Sequence, residues 1–214
     1  DIKMAASSLA DGAFYNNGQS CCAVERIYVH QAIYDSFVES FVSEVKNFVV
    51  GDPLSEKTYI GPLTRSAQVE ILENQIKDAL ARGAKVLTGG KKINRAGSYF
   101  EPTVLTQVNH EMLLMKEESF GPIIGIQKVS GDVEAIKLMN DTEYGLTAGV
   151  YTQDEKRAES ILKQVNSGTV YWNCCDRVSP NLPWAGRGHS GVGCTLSHYG
   201  IETFLKLKAW HLKK

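Results

Sequence analysis

The stretch from Asn16 to His30 reads NNGQSCCAVERIYVH and joins a turn, two adjacent cysteines and a strand-like run. Gly18 allows a sharp turn of the chain shortly before Cys21 and Cys22. The second half, from Glu25 to His30, has the β-branched and aromatic content of a strand. Apolar residues then recur at the spacing of an amphipathic helix, at Ile33, Phe37, Phe41, Val45 and Phe48. The stretch therefore predicts a loop, a strand and a helix in succession, with the thiols in the loop.

Strands and helices alternate through the rest of the chain. Helical patterns begin near Ile2, Val69, Val133 and Ala158. Asp132 and Asp154 stand where each can cap one of the last two helices. Strand-like composition marks Lys85–Leu87, Pro102–Val108, Pro122–Val129, Tyr144–Thr152 and Thr169–Asn173. Alternation of this kind predicts the α/β class, as a three-layer sandwich around a mainly parallel sheet.

The composition indicates a folded protein whose partners are small molecules or other protein chains. The 214 residues are 43% hydrophobic, which is enough to bury a core and excludes a disordered chain. The 23 basic and 24 acidic residues give a net charge of −1, without long runs of one sign. We therefore expect no binding of nucleic acid or of a membrane. No apolar run approaches the length of about 20 residues that spans a bilayer, and no signal peptide pattern opens the chain.

Both ends of the sequence predict connections beyond it. The chain lacks an initiator methionine and opens in a helical pattern at Ile2, so we expect a piece of a longer protein. The tail from Phe204 to Lys214 alternates apolar and polar residues, as an exposed edge strand does. We expect this tail to pair with another segment or subunit. A frayed, solvated terminus is the alternative.

The cysteines indicate a reducing compartment, and the expected location is the cytoplasm. An odd number of them, in two vicinal pairs and a single, makes a poor disulfide framework: Cys21, Cys22, Cys174, Cys175 and Cys194. Buried thiols, metal ligands and an enzyme nucleophile are the three interpretations of the first pair. Vicinal cysteines lack the C-x2-C spacing of a zinc knuckle, so no metal is expected. Composition alone favours burial, because free cysteine is among the most often buried residue types. A nucleophilic thiolate would need backbone donors or nearby cations to stabilise its charge.

A glycine-rich segment near the C-terminus is predicted to be a loop. GRGHSG, from Gly186 to Gly191, matches G-x-G-x-x-G but is not placed between a strand and a helix, as a dinucleotide-binding fingerprint must be. A hydrolase elbow around Ser190 also fails, because Val192 stands where G-x-S-x-G requires glycine.

The string FYNNGQSCCA, from Phe14 to Ala23, extends the stretch around the vicinal cysteines. It is similar to the N-x-G-Q-x-C-x-A signature that presents the nucleophilic cysteine of the aldehyde dehydrogenase superfamily, and further motifs carry this resemblance over essentially the whole chain. KEESFGP, from Lys116 to Pro122, resembles the E-x-F-G-P motif, and NDTEYGLTAGV, from Asn140 to Val150, resembles a strand entry. SGTVYWN and PWAGRGHSGVG resemble two further segments. Several motifs in one order make the resemblance specific.

The resemblance implies an enzyme that oxidises an aldehyde to a carboxylic acid with NAD or NADP. Cys21 corresponds to the family's nucleophile, which forms first a thiohemiacetal and then a thioester. Glu118 corresponds to the carboxylate that binds the nicotinamide ribose, where an acceptor-only group suits the two ribose hydroxyls. Phe120 would pack near the nicotinamide ring.

The same correspondence implies a substrate pocket and a domain organisation. Val178 and Trp184 correspond to substrate-facing positions, and the neighbouring Asp176 and Arg177 could tune which aldehyde enters. Residues 1–205 correspond to the catalytic domain, and 206–214 to a tail strand leading into the oligomerisation element. A homo-oligomer is therefore implied. The NAD-binding domain, the general base and the oxyanion asparagine would lie upstream, so we expect the 214-residue polypeptide alone to be inactive.

Two rival functions remain open at this point. One is an acylating relative that passes the thioester to coenzyme A rather than to water. The other is a non-catalytic homologue that senses redox state through its vicinal thiols, and Cys174 or Cys175 could then bond Cys21 or Cys22 under oxidation.

Overall fold

The computed structural model describes residues 1–175 and 178–214. Its helices are α1 (Ile2–Phe14), α2 (Tyr34–Lys46), α3 (Ser66–Ala81), α4 (Asp132–Asn140), α5 (Glu155–Leu162) and α6 (Ser197–Glu202). Its strands are β1 (Arg26–His30), β2 (Lys85–Thr88), β3 (Thr103–Thr106), β4 (Ile123–Val129), β5 (Thr147–Val150) and β6 (Thr169–Trp172). The predicted alternation of strands and helices is confirmed. None of the described helices combines the length and the apolar character needed to cross a bilayer.

The larger sheet has the strand order β1-β4-β3-β2. β4 lies at its centre and pairs in parallel with β1 and with β3, while β2 pairs antiparallel with β3. The predicted mainly parallel sheet is therefore confirmed. Parallel pairing also explains why β3 and β4 are buried on both faces, since the helices of such units cover both sides of the sheet.

Apolar side chains fill the two faces of this sheet separately. One cluster joins α1 and α2 to the sheet and includes Phe14, Phe41 and Ile126, each with no exposed surface. The other joins α3 to the opposite face and includes Leu72, Leu105 and Met115. Alternate residues of β4 point into each cluster, because successive side chains of a strand face opposite sides. The result is the predicted sandwich of three layers.

A second, smaller sheet consists of β5 and β6 in parallel, with α5 packed against it. All four residues of β5 are only half-buried. A cavity of about 630 Å³ is lined by consecutive residues of both sheets, 25–30 around β1 and 146–154 around β5. Among the described residues, β1 pairs only with β4 and β5 only with β6.

One predicted helix cap is wrong and the other is confirmed. Gly131, and not Asp132, precedes α4 as its N-cap. Asp132 lies inside the first turn, and its carboxylate accepts two hydrogen bonds from Arg157 at 2.7 and 2.5 Å, a paired geometry that a cap would not offer. Asp154 does cap α5, because its side chain accepts the Arg157 N–H at 3.0 Å.

The C-terminal residues extend away from the core. Residues 206–214 have no regular secondary structure and are exposed throughout. Their large apolar side chains, Leu207, Trp210 and Leu212, are each at least 72% exposed. A strand at this position needs a pairing partner, so the tail strand stays a prediction.

Candidate active site

The loop that follows α1 has an unusual backbone conformation. Asn16, Asn17 and Gly18 have φ angles of 48°, 62° and 69°, so three successive residues lie in the left-handed region. Asparagine and glycine tolerate this region better than other residues do. The residue types of the N-x-G motif are therefore those that let the chain reverse directly after the helix.

Side chains of the same motif fix the loop to the segment after Gly61. Asn17 is 3% exposed and donates from Nδ2 to the carbonyl of Gly61 at 3.1 Å. Gln19 accepts the N–H of Thr64 on Oε1 at 2.9 Å. These polar residues thus have an identifiable structural role, which is to hold the cysteine loop in place.

The two adjacent cysteines occupy different environments. Cys21 is exposed, whereas Cys22 is buried, with its Sγ 3.3 Å from Ser20 Oγ and 3.5 Å from Tyr15 Oη. Among the described residues, the N–H of Cys21 donates to no other group. Cys21 therefore combines solvent access with an available backbone donor. This arrangement supports its prediction as the nucleophile and gives Cys22 a packing role.

A backbone contact joins the cysteine loop to the segment around Glu118, about 100 residues away in sequence. A Cβ atom on Gly18 would lie 2.3 Å from the carbonyl oxygen of Gly121. Only glycine permits this approach, because a contact of that length with a backbone atom excludes any side chain. The structure thus brings together two motifs that the sequence analysis could only match separately.

Glu25 is a site residue that the sequence analysis missed. Its carboxylate accepts the N–H of Ser119 on Oε2 at 3.1 Å and the N–H of Phe120 on Oε1 at 3.2 Å. Burial raises the pKa of Glu25 to about 7, and the nearby charge of Glu118 adds to that effect, while the two N–H groups oppose it. The residue immediately precedes β1, and nothing in its local sequence distinguishes it from an exposed acid at a strand end.

This shifted pKa predicts how the stability of the protein depends on pH. Because the pKa of Glu25 lies at about 7 in the folded protein and at 4.5 ordinarily, the folded state binds this proton more tightly. The free energy of unfolding should therefore fall by about 3 kcal/mol as the pH rises from about 4.5 to 7, because Glu25 must ionise in the folded protein. Urea midpoints of Glu25→Gln should lack that decline.

Glu117 provides a matched control for this measurement, since it is a neighbouring glutamate with an exposed side chain. Glu117→Gln should keep the decline seen in the parent protein. An equal decline in the Glu25→Gln variant would show that another group is responsible.

Glu118 and Phe120 flank the turn that Glu25 contacts. Glu118 is exposed, and its carboxylate accepts no hydrogen bond within the described part of the chain. Partial burial nevertheless raises its pKa. Phe120 is half-buried and has a φ of 47°, in the left-handed region. An accessible, unpaired carboxylate fits the predicted role of Glu118 in binding two hydroxyl groups.

The predicted substrate-facing residues lie in the C-terminal loops. Val178 is 55% exposed, and Trp184 is half-buried. The backbone of Trp184 exchanges hydrogen bonds with Thr195 at 2.8 and 2.9 Å, so it belongs to a local loop bridge. Their role in an aldehyde tunnel stays a prediction. Asp176 and Arg177 lie outside the described residues.

The segment from Gly186 to Gly191 is a loop, as predicted. Gly188 forms a bridge with Tyr144, and the N–H of His189 donates to the carbonyl of Glu143 at 2.8 Å. No helix starts within this segment. The described residues also contain no cluster of three histidine, cysteine or acidic side chains that could hold a metal ion.

Cys175 of the second vicinal pair packs against α1. Cys175 is buried, and its Sγ donates to the carbonyl of Ser8 at 3.4 Å. A Cβ atom on Gly12 would lie 2.3 Å from this sulfur, which explains a glycine within the helix. Cys174 is half-buried. A disulfide from this pair to Cys21 or Cys22 stays a prediction.

Comparisons with known proteins identify the family of this chain. Residues 1–210 match the aldehyde dehydrogenase family. A chloroplastic betaine aldehyde dehydrogenase of Atriplex hortensis is 37% identical over 97% of this chain and 42% of its own length. An NADP-dependent enzyme of E. coli is 35% identical, with a TM-score of 0.94 over 97% of this chain and 43% of its own. An NAD-dependent aldehyde dehydrogenase of Sinorhizobium meliloti is 32% identical, with a TM-score of 0.92 over 95% and 41%. Other relatives are named as cytosolic and peroxisomal enzymes.

Fold and site together define an α/β domain with an accessible cysteine at the end of a helix. The chain belongs to the aldehyde dehydrogenase family. It spans less than half the length of the curated aldehyde dehydrogenases to which it is similar, for example 42% of the betaine aldehyde dehydrogenase.

Proposed function

We propose that the protein containing this chain oxidises an aldehyde to a carboxylic acid through a thioester on Cys21. The observation that carries this proposal is the exposed Cys21, held in a left-handed loop whose Gly18 contacts Gly121 of the second motif. Packing of this kind fixes the cysteine loop against the segment that contains Glu118. A cysteine pair with only a packing role would be expected to bury both thiols, whereas here Cys21 is exposed and only Cys22 is buried.

The chemistry begins at the sulfur of Cys21. Its thiolate forms a bond to the carbonyl carbon of the aldehyde, and the carbonyl oxygen becomes an oxyanion. The unpaired N–H of Cys21 is a donor for this charge, a kind of interaction whose loss costs roughly 3 to 4 kcal/mol in the transition state. Departure of the aldehyde hydrogen with its electron pair leaves a thioester. Water then bonds to the acyl carbon, the carbon–sulfur bond breaks, and the acid and the thiol are released.

NAD or NADP is the proposed cofactor, and when bound it supplies the acceptor for the hydride. Within this chain, Glu118 would hold the ribose hydroxyls and Phe120 would pack near the ring. The accessible carboxylate of Glu118 supports this assignment. Val178 and Trp184 are proposed to face the aldehyde.

Thiol labelling tests the proposal directly. Iodoacetamide at neutral pH should modify Cys21 of the full-length protein at least about tenfold faster than Cys22 or Cys175, because both of these are buried. Mass spectrometry of peptides identifies the labelled sites. Equal, slow labelling of all the thiols would favour a structural or redox-sensing role. Detection of an acyl-CoA product in place of the acid would favour the acylating alternative.

The proposed partner of this chain is the rest of the same enzyme, including an NAD-binding domain. The cavity between β1 and β5 supports this, since each strand has an edge without a partner among the described residues. Unpaired edges of this kind recruit further strands. A segment from elsewhere in the enzyme is therefore proposed to fill the cavity and to join the two sheets.

The 214-residue polypeptide alone is expected to form no NADH from an aldehyde and NAD, while the full-length enzyme does. Few of the groups that bind a dinucleotide would be present in it, and the cavity beside Cys21 would be open to water. Absorbance of the reduced cofactor is the measurement. Steady turnover by the purified polypeptide would contradict this expectation.

We also propose that the enzyme containing this chain is cytoplasmic and assembles into a homo-oligomer. The free thiols of the described residues support a reducing compartment. The exposed apolar side chains of the tail, Leu207, Trp210 and Leu212, support a subunit contact.

A further inference from the structure

The turn that carries Glu118 and Phe120 is held from two sides. The N–H groups of Ser119 and Phe120 both donate to the carboxylate of Glu25. The carbonyl of Ser119, which is 1% exposed, accepts from Gln68 Nε2 at 2.5 Å. Two successive N–H groups that converge on one anion form a concave binding site for it. The left-handed φ of Phe120, 47°, belongs to the same arrangement.

We propose that Glu25, as a carboxylate, is a positioning residue that holds the Ser119–Phe120 turn and thereby sets Glu118 for binding the dinucleotide. This inference rests on the proposed function. Glu25 lies four residues after Cys21, and its side chain reaches the residues next to Glu118 in the chain. One residue thus links the nucleophile loop to the turn that is proposed to bind the cofactor.

An ionised carboxylate can accept both of these N–H groups, whereas a neutral side chain cannot, although burial makes its charge unfavourable. Both oxygens of a carboxylate accept, so each backbone N–H has its own partner. A protonated acid converts one oxygen into a donor, and an amide places its NH₂ group against an N–H. In either case one of the two backbone bonds is lost. The turn would then be held by a single hydrogen bond to residue 25, and Glu118 would be less well positioned to bind the dinucleotide.

Within the part of the chain that the structure describes, the charged and titratable groups around Glu25 are few. Glu118 lies close enough for its charge to raise the pKa of Glu25. The phenol of Tyr144, from the loop before β5, is also near, since the charge of Glu25 helps to raise its pKa. Arg26 follows in sequence, but its guanidinium donates to the carbonyl of Met115 at 3.3 Å. Burial is the main cause that raises the pKa of Glu25 to about 7, and the charge of Glu118 adds to it.

The affinity of the full-length enzyme for NAD should therefore depend on pH. With a pKa of about 7, Glu25 is ionised in about one tenth of the molecules at pH 6 and about nine tenths at pH 8. If only the ionised form binds, the dissociation constant at about pH 8 is roughly ninefold lower than at about pH 6. Calorimetric titration of the full-length enzyme with NAD measures this ratio without any turnover.

Variants of Glu25 and Glu117 test the assignment. Glu25→Gln should bind NAD at least about tenfold more weakly than the parent at about pH 8, with no change between the two pH values. Glu25→Asp, which keeps the charge on a shorter side chain, should restore part of the affinity and the pH dependence. Glu117→Gln should behave as the parent does. Iodoacetamide labelling of Cys21 at the parent rate in each variant reports that the loop is intact.

The outcomes separate this inference from the proposed function. A parent enzyme that binds neither NAD nor NADP overturns both. If Glu25→Gln fails to fold, a Glu25→Asp variant that binds NAD as tightly as the parent at both pH values overturns the positioning role alone. The same holds if Glu25→Gln keeps the parent's affinity, or if Glu117→Gln loses as much affinity as Glu25→Gln.

Discussion

Replacing Cys21 by serine in the full-length enzyme is expected to lower the rate of aldehyde oxidation by about 10⁴-fold or more. A serine hydroxyl does not ionise at neutral pH, so the group that bonds to the carbonyl carbon is lost. The fold should be unaffected, because Cys21 is exposed and its side chain contributes little to the core. The rate is followed by absorbance of the reduced cofactor, and the thermal midpoint reports the fold.

The neighbouring Cys22→Ser variant is the matched control. Cys22 is buried against Ser20 and Tyr15, so serine there should disturb packing slightly and keep activity within about tenfold of the parent. Activity of Cys21→Ser equal to that of the parent would show that another group forms the bond to substrate. A larger loss in Cys22→Ser than in Cys21→Ser would exchange the roles of the two thiols.

The elements of the fold could be predicted from the sequence because they depend on local periodicity. β1 and α2 follow from the spacing of residues after Cys22, and the loop around Gly188 follows from its glycines. The Asp132 cap failed for a reason outside the local sequence. Arg157 comes from the next helix and pairs with that carboxylate, and no local pattern contains this information.

In the candidate site, too, the local motifs could be predicted from the sequence, whereas contacts between distant segments could not. The Cys21 and Glu118 motifs could be matched one by one, but their contact through Gly18 and Gly121 depends on how β1 and β4 pair. Glu25 was missed because its partners are backbone N–H groups, which leave no residue-type signal in the sequence. Parallel pairing of distant strands therefore creates the arrangement of the site, whereas sequence motifs supply its chemistry.

Replacing Gly18 by alanine should have the second largest effect, a destabilisation on the order of 3 to 4 kcal/mol with at least about a hundredfold loss of activity. Two costs add at this position. The φ of 69° is unfavourable for alanine, and the new Cβ would lie 2.3 Å from the backbone oxygen of Gly121. A backbone atom cannot rotate aside as a side chain can. Either the cysteine loop or the Glu118 turn must move, and the distance between Cys21 and Glu118 changes with it.

Gly83→Ala separates these two costs. Gly83 also has a left-handed φ, 96°, but a Cβ there would meet no atom within 4 Å. Its substitution should cost about 1 kcal/mol, from the backbone conformation alone, and leave activity within about twofold of the parent. Thermal midpoints and steady-state rates of the two full-length variants give the comparison. If Gly18→Ala is no worse than Gly83→Ala in either measurement, the close approach of Gly18 to Gly121 is not what positions the cysteine loop against the Glu118 turn.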